Sequence, residues 1–405
     1  MNAARYLRRL ALATLLLVAL LASVNYYADP YGVWRYGLPG DTIQSRPAIR
    51  NQERMHKAHA VRLVDADCLI LGNSRVVVGL DPNHPLLPEK TYNLGLSASN
   101  IYECYRYLQH AVAFKKPKMV LFAIDKGMFD AASTPEVDFD EARLAVAADG
   151  TPQPRWRYAD IPETLLSLDA LVDSLKTLRD KTSVKYKDGM RDEVLMKPYT
   201  VPSKILAENE RWKDGSRKLA WNIKDGSNKQ REAFMEFLSF CHSQDIRLVV
   251  LTNPLHSGLL DLEISDPVAF RRWLIWVGNA VRTGSNFLAD SWGLVPSEGS
   301  GWWEGKIPHF VNFYGFNPIS SEPFPSPDER VSAMKNYWEI SHYRKAVGDL
   351  MIEVLVSSEP VTLSFSFGRK TNDGDALWTW LDRERAVWKA GKIQPSSIEK
   401  WKVER

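Results

Sequence analysis

The sequence predicts an α/β fold: a three-layer parallel sheet with an N-terminal transmembrane helix and a largely helical insertion. Three observations predict it. Apolar runs of strand length recur at 67–72, 118–124 and 247–252. Segments with apolar residues at helical spacing, 100–114 and 228–244, stand between or before them. An uncharged, mostly apolar run from Leu10 to Val24 follows Arg5, Arg8 and Arg9. Strands buried on both faces read as unbroken apolar runs, and helices of this length between them imply parallel crossovers.

Residues 1–27 form a membrane anchor or a signal peptide. The apolar run is short for a span, so cleavage has to be weighed. A cleavage site needs small residues at both −3 and −1, and Leu21-Ala22-Ser23 places Leu where one is wanted. The uncleaved anchor is therefore favoured, with Tyr26 and Tyr27 at the membrane interface. In either case the three arginines stay cytoplasmic and the chain that follows is exported. The expected location is the inner membrane, single-pass, with the N-terminus cytoplasmic and the main domain periplasmic.

A connector over 28–58 opens on the turn Asp29-Pro30-Tyr31-Gly32. The α/β domain is expected over 59–130 and 228–358. Its first strand is Asp67–Gly72. A helix from Asn100 to Phe114 follows, with Ile101, Tyr105, Leu108 and Val112 on one face. Asn100 and Glu103 resemble a capping box at its start. Lys118–Ile124 is a second strand. The helix over 228–244, through Phe234, Phe237, Leu238 and Cys241, feeds the strand Arg247–Thr252. Asn286–Asp290 reads as a further strand and Glu339–Val356 as a closing helix.

The alternation lapses in a basic insertion over 131–227. From Lys176 to Arg231 there are 15 Lys and Arg against 8 Asp and Glu, a net of +7. Such a run is usually a solvated face. The functional alternative is a lid, or a docking face for an anionic glycan or lipid surface. A C-terminal extension over 359–405 carries Trp378, Trp380, Trp388 and Trp401.

The net charge of +3 and the absence of a recognised motif exclude nucleic acid as a partner. Cys68, Cys104 and Cys241 make neither a zinc pattern nor a disulfide framework. Cys68, inside an apolar strand, reads as an inert core residue. No cofactor or metal is expected. The 14 tryptophans fit a thick core or a sugar-binding surface, and the core has the first claim.

Three separated motifs carry chemistry. In Gly72-Asn73-Ser74 the serine stands at the carboxyl end of a buried strand. There its Oγ can be exposed and helix-start N–H groups can hold an oxyanion. An N-cap serine has the same local pattern. In Tyr92-Asn93-Leu94-Gly95 the glycine lets backbone approach closely and its N–H is a candidate oxyanion donor; a tight turn alone also asks for glycine. In Glu339-Ile340-Ser341-His342 an acid lies three residues before a histidine. A serine nucleophile needs a base, and the base needs an acid to fix its tautomer. Of the eight histidines, His342 is the one with an acid at that spacing in a loop-to-helix context.

In that order the three motifs resemble the blocks of the SGNH (GDSL-like) hydrolase superfamily, whose fold is flavodoxin-like. Gly72-Asn73-Ser74 matches the nucleophile block and Asn93-Leu94-Gly95 the oxyanion-glycine block. Glu339-Ile340-Ser341-His342 matches the final Asp-x-x-His block with Glu for Asp. Ser341, His342, Tyr343, Gly348 and Asp349 also resemble the ending of membrane-anchored bacterial members, among them the alginate and D-alanine transfer accessory proteins. The resemblance covers roughly residues 60–130 and 230–356. It implies catalytic Ser74, His342 and Glu339, and a serine esterase or O-acyltransferase acting on cell-envelope or extracellular polysaccharide. It further implies a multispanning membrane acyltransferase as partner. The alternative is a non-catalytic assembly or glycan-binding protein on the same fold.

One departure stands out. The family's third block supplies an oxyanion asparagine after the third strand, where this chain has Asp125. Three readings follow: a hole made by the Ser74 and Gly95 amides alone, a contribution from Asn253, or an Asp125 that shapes the site together with Asn73. The first is favoured.

Overall fold

In the computed structural model of the 405-residue chain, the described residues are 3–43, 45–180, 186–191, 196, 199–222, 228–289, 310–331, 334–356, 365–371, 373–396 and 398. They form an α/β architecture. In chain order the helices are α1 (Ala3–Ala28), α2 (Glu53–Val61), α3 (Ser74–Gly79), α4 (Ile101–Val112), α5 (Ile161–Leu165) and α6 (Leu168–Arg179). Then come α7 (Pro202–Asn222), α8 (Lys229–Ser243), α9 (Ser257–Glu263), α10 (Pro267–Ala289), α11 (Lys345–Val356) and α12 (Gly374–Lys389). The strands are β1 (Cys68–Leu71), β2 (Thr91–Asn93), β3 (Met119–Ile124), β4 (Tyr186–Lys187), β5 (Met190–Arg191), β6 (Arg247–Thr252), β7 (Phe310–Asn312) and β8 (Arg369–Lys370).

Six of these strands make one sheet in the order β2-β1-β3-β6-β7-β8, parallel except for the β7–β8 pair. Leu71 pairs with Phe122, and Ile124 with Thr252, so β1, β3 and β6 finish at one edge. Every residue of β1 and β3 is buried, as their continuous apolar sequence requires. The loops leaving that edge carry Ser74, Asp125 and Asn253. This is the position at which open parallel sheets bind ligands.

The chain divides into two compact units. The first comprises Met1–Asp65, Arg106–Lys115 and Val137–Lys185. The second comprises Ala66–Tyr105, Lys116–Glu136 and Tyr186–Arg405. Within the first unit, the Asp29 carboxylate accepts the amides of Val33, Trp34, Arg35 and Tyr36 and fixes the expected turn. Segment 28–58 is packed: Tyr31, Val33, Ala48 and Met55 share a core cluster with Ala170. Among the described residues one helix, α1, is long and apolar enough to cross a membrane.

The second unit holds the sheet. Asn100 and Glu103 exchange the two hydrogen bonds of a capping box, as expected. The C-terminal extension adds β8 to the sheet edge, and α12 is tied by Arg271–Asp375 and Arg385–Asp261 ion pairs. Trp378 packs on Phe270 and Trp388 on Phe316, which makes them packing residues, while Trp401 lies outside the described residues. Cys68, Cys104 and Cys241 are buried thiols outside any disulfide. Burial pushes the Cys68 thiol up to about 12, as befits an inert core residue.

Two expectations are corrected. Residues 286–289 are the end of α10, not a strand, and Asp290 lies outside the described residues. Helical periodicity runs through this stretch, with Phe270, Trp273, Leu274, Val277 and Val281 all buried. The strand beside β6 is instead β7, too short at three residues to stand out as a run. The closing helix begins at Lys345 rather than Glu339. Residues 337–343 form a loop closed by a Tyr337–Tyr343 bridge and a hydrogen bond from the Trp338 amide to the His342 carbonyl.

Candidate active site

The backbone turn after β1 places Ser74. Gly72 has φ +146°, and a Cβ there would stand 2.7 Å from the Ala123 carbonyl oxygen, so glycine is required on both counts. Asn73 then caps α3, its Oδ1 accepting the Arg75 amide at 3.1 Å. Ser74 follows as the first helical residue, half-buried among buried neighbours. Its own N–H is one of the helix-start amides with no intrahelical acceptor.

The histidine arrives from the loop at 337–343. His342 Nε2 lies 2.8 Å from Ser74 Oγ, across 268 residues of sequence. His342 Nδ1 bonds Glu339 Oε1, which leaves Nε2 as acceptor for the Ser74 hydroxyl. Glu339 is wholly buried, and its oxygens also accept the amides of Ser341 and His342, both at 2.9 Å. Burial acts to raise its pKa; the His342 ring and these two amides outweigh burial and hold the carboxyl below its ordinary range. The Trp212 ring meets the His342 ring edge-on at 5.8 Å. The sequence-predicted serine, histidine and acid are thus brought together.

Two of the three expected oxyanion donors, Gly95 and Asn253, are not. The Gly95 amide donates to Asn93 Oδ1 at 3.1 Å within its own turn, and Gly95 does not line the cavity beside Ser74. A Cβ at Gly95 would meet Val76 Cγ2 at 2.4 Å. Glycine is needed there for close packing under α3. Asn253 is fully buried; its Nδ2 donates to Asp125 Oδ2 at 2.8 Å and its Oδ1 accepts from the Tyr343 hydroxyl at 3.1 Å. Both residues support the site from behind, and both expectations are corrected on that ground.

Asp125 is the centre of this support. Its Oδ2 accepts from Asn73 Nδ2, Arg75 Nη1 and Asn253 Nδ2 at 2.7–2.8 Å, and its Oδ1 accepts from the Tyr314 hydroxyl at 3.2 Å. Burial, and then the Asp125 charge, push the Tyr314 and Tyr343 hydroxyls well above their ordinary range, so both remain donors. Asp125 therefore shapes the site, which is the third of the sequence readings.

Three residues of the site escaped the sequence reading. Arg75 donates from Nη1 to Asp125, from Nε to the Ser341 carbonyl at 3.1 Å, and from Nη2 to Ser341 Oγ at 2.9 Å. It thereby ties the histidine loop to the nucleophile helix. Burial acts to lower its pKa, but Asp125 outweighs burial and raises it, so the guanidinium stays charged. A signal existed: an arginine at the start of Arg75-Val76-Val77-Val78 faces a buried helix and has to be paired. Trp212 and Glu263, far along the chain, gave no local signal.

Beside Ser74 a cavity of about 220 Å³ opens, lined by Asn73, Asn100, Asp125, Ser133, Trp212 and Glu263 among others. Burial raises the Glu263 carboxyl above its ordinary value, against the charges of Lys126 and Arg75. The wall combines hydroxyl, amide and carboxyl groups with one indole. No protein-family model matches the chain, and no curated protein matches it.

Proposed function

We propose that the chain is a serine esterase or O-acyltransferase of the SGNH hydrolase type, with a three-layer α/β fold. The observation that carries the reading is the continuous hydrogen-bonded series Ser74 Oγ, His342 Nε2, His342 Nδ1 and Glu339 Oε1 at the rim of a cavity. Ser74 Oγ attacks the acyl carbonyl while its proton passes to His342 Nε2. Glu339 holds the ring and stabilises the imidazolium. The oxyanion forms beside the Ser74 amide. The proton returns to the departing alcohol, and an acyl-Ser74 is left. Water or a sugar hydroxyl then attacks, again giving its proton to His342, and Ser74 is released.

The cavity sets an indole and other apolar surface beside hydroxyl, amide and carboxyl groups, a mixture that suits a sugar ring as carrier of the ester. With α1 as an uncleaved anchor and Arg5, Arg8 and Arg9 on the cytoplasmic side, the site is periplasmic. Envelope or extracellular polysaccharide is then the acceptor, and a multispanning membrane acyltransferase the source of acyl groups.

A second reading, a non-catalytic glycan-binding assembly protein, is favoured by one observation: the Gly95 amide donates to Asn93 and the Asn253 side chain to Asp125. Fluorophosphonate labelling followed by peptide mapping separates the two. The enzyme reading expects label on Ser74, and expects Ser74→Ala to abolish nitrophenyl acetate turnover with folding intact. Equal slow turnover by wild type and variant, with no label on Ser74, establishes the binding reading instead.

A further inference from the structure

Helix α6 is inside out. Its buried residues are Ala170, Ser174 and Thr177, while Leu168 (71% exposed), Val172 (51%), Leu175 (42%) and Leu178 (41%) face outward. A helix of a water-soluble domain turns its leucines inward and its serines and threonines out. The buried positions 170, 174 and 177 form a seam of small residues at i, i+4 and i+7. Membrane helices use such seams to bring backbones close together.

The partner across part of this seam is α1. Asn25, near the end of α1, is fully buried. Its Nδ2 donates to the Leu165 and Ser167 carbonyls at 3.0 and 3.2 Å, and its Oδ1 accepts from Ser174 Oγ at 2.9 Å. Upstream, α1 exposes Leu10, Leu12, Leu15, Leu16, Leu17 and Leu20. The uncharged run Leu10–Val24 is about 22 Å long at 1.5 Å per residue, short of the roughly 30 Å of a bilayer's hydrocarbon. Its downstream end lies where α6 is fastened. The exposed stripe of α6 thus begins at Leu168, next to the Ser167 carbonyl to which Asn25 at the downstream end of α1 is bonded.

We infer that α6 lies in the membrane interface beside α1, with Leu168, Val172 and Leu175 in contact with the acyl chains of a phospholipid bilayer. This goes beyond the reading of the active site and rests on α1 being a membrane span. Charge fits the placement. Lys176 pairs with Asp173 at 2.9 Å, and exposed Asp169 and Arg179 flank the stripe, so the ionic groups sit at its margins where headgroups and water begin.

The test uses the full-length chain in phosphatidylcholine–phosphatidylglycerol vesicles, labelled one position at a time with an environment-sensitive fluorophore. The native cysteines are buried, so an introduced thiol is the reactive one. Val172→Cys and Leu175→Cys report on α6 and Leu16→Cys on α1. Val137→Cys, in the same compact unit and 102% exposed, reports on water. With brominated lipids, the expected result is quenching at 172 and 175 comparable to that at 16, and none at 137. Quenching at 16 without quenching at 172 and 175 overturns the inference while leaving the anchor intact. Absence of quenching at all positions overturns both. A blue-shifted but unquenched probe at 172, with 16 quenched, shows the stripe covered by protein, a second copy or another chain, and also overturns it.

Discussion

Arg75 is the strongest test of how the site is held. Its guanidinium makes one bond to Asp125 and two to Ser341, the residue before His342. Removing the head group in Arg75→Met deletes a buried ion pair, a change that typically destabilises by about 3–5 kcal/mol because the partner is left uncompensated. Here Asp125 keeps its donors from Asn73, Asn253 and Tyr314, so the lower end applies, about 3 kcal/mol. The two lost bonds to Ser341 release the loop that presents His342. A displacement of about 1 Å at a reacting group lowers turnover on the order of 10²-fold. Arg75→Lys separates the two effects: an ammonium can keep the pair with Asp125 but cannot also fork across the Ser341 carbonyl and hydroxyl. Urea unfolding followed by tryptophan fluorescence should therefore show most of the stability recovered in Arg75→Lys. The rate of fluorophosphonate labelling at Ser74 should stay low in both variants. If Arg75→Met, still folded, labels at the wild-type rate, the guanidinium does not position His342 and the reasoning fails. If Arg75→Lys restores labelling along with stability, the bonds to Ser341 contribute nothing beyond the charge.

The remaining predictions concern the acid and the helix crossing. Glu339 has a folded pKa below its ordinary 4.5, so the stability it contributes is complete above about 4.5 and is lost as pH falls through the folded value. The urea midpoint of wild type should drop more steeply below pH 4.5 than that of Glu339→Gln. Glu263 and Glu322, raised by burial, slope the opposite way in both proteins and cancel in the difference; parallel curves would falsify the assignment. In activity, Glu339→Gln should cost on the order of 10⁴ in turnover by loss of the correct tautomer, read from nitrophenyl acetate hydrolysis. Gly348→Ala places a Cβ 1.9 Å from the Gly79 carbonyl oxygen, so α3 and α11 must part. Overpacking of this kind destabilises by about 1–3 kcal/mol, and a backbone neighbour puts the change at the upper end. Thermal unfolding that is unchanged in Gly348→Ala rules out the close crossing.

How much of this was legible in the sequence follows from how local each feature is. Strands β1, β3 and β6 announce themselves because burial on both faces demands uninterrupted apolar residues. The capping box at Asn100 and the turn at Asp29 are legible because donor and acceptor lie within a few residues of each other. β7 escapes the sequence reading because a three-residue strand carries no period, and the end of α10 reads as a strand when Asn286–Ala289 is taken apart from the helical spacing before it. The roles given to Gly95 and Asn253 failed for another reason. An N–H group has no visible direction in sequence, and each of these donors is satisfied by an acceptor that only the fold supplies.

The same distinction orders the candidate site itself. Glu339 and His342 form a local unit: one carboxylate accepts the ring and the two amides beside it, so acid and base are assembled within four residues of chain. The relation of His342 to Ser74 is not local, and three features far from the motifs enforce it. Arg75 bonds the histidine loop, Gly79 makes room for the Tyr343 ring of that loop, Gly348 lets α11 lie against the Gly79 carbonyl of α3, and Asp125 anchors Arg75 through donors from β1, β6 and β7 loops. Each of these has a polar or steric demand that would be unfavourable in isolation: a buried guanidinium, a buried carboxylate, two glycines in helices. A protein that needed only the sheet would have no reason to retain that combination immediately behind a serine. The buried ion pair of Arg75, next in sequence to Ser74, with Asp125, and its bonds to Ser341, next to His342, argue that the 2.8 Å approach of His342 is what the surrounding structure is arranged to maintain.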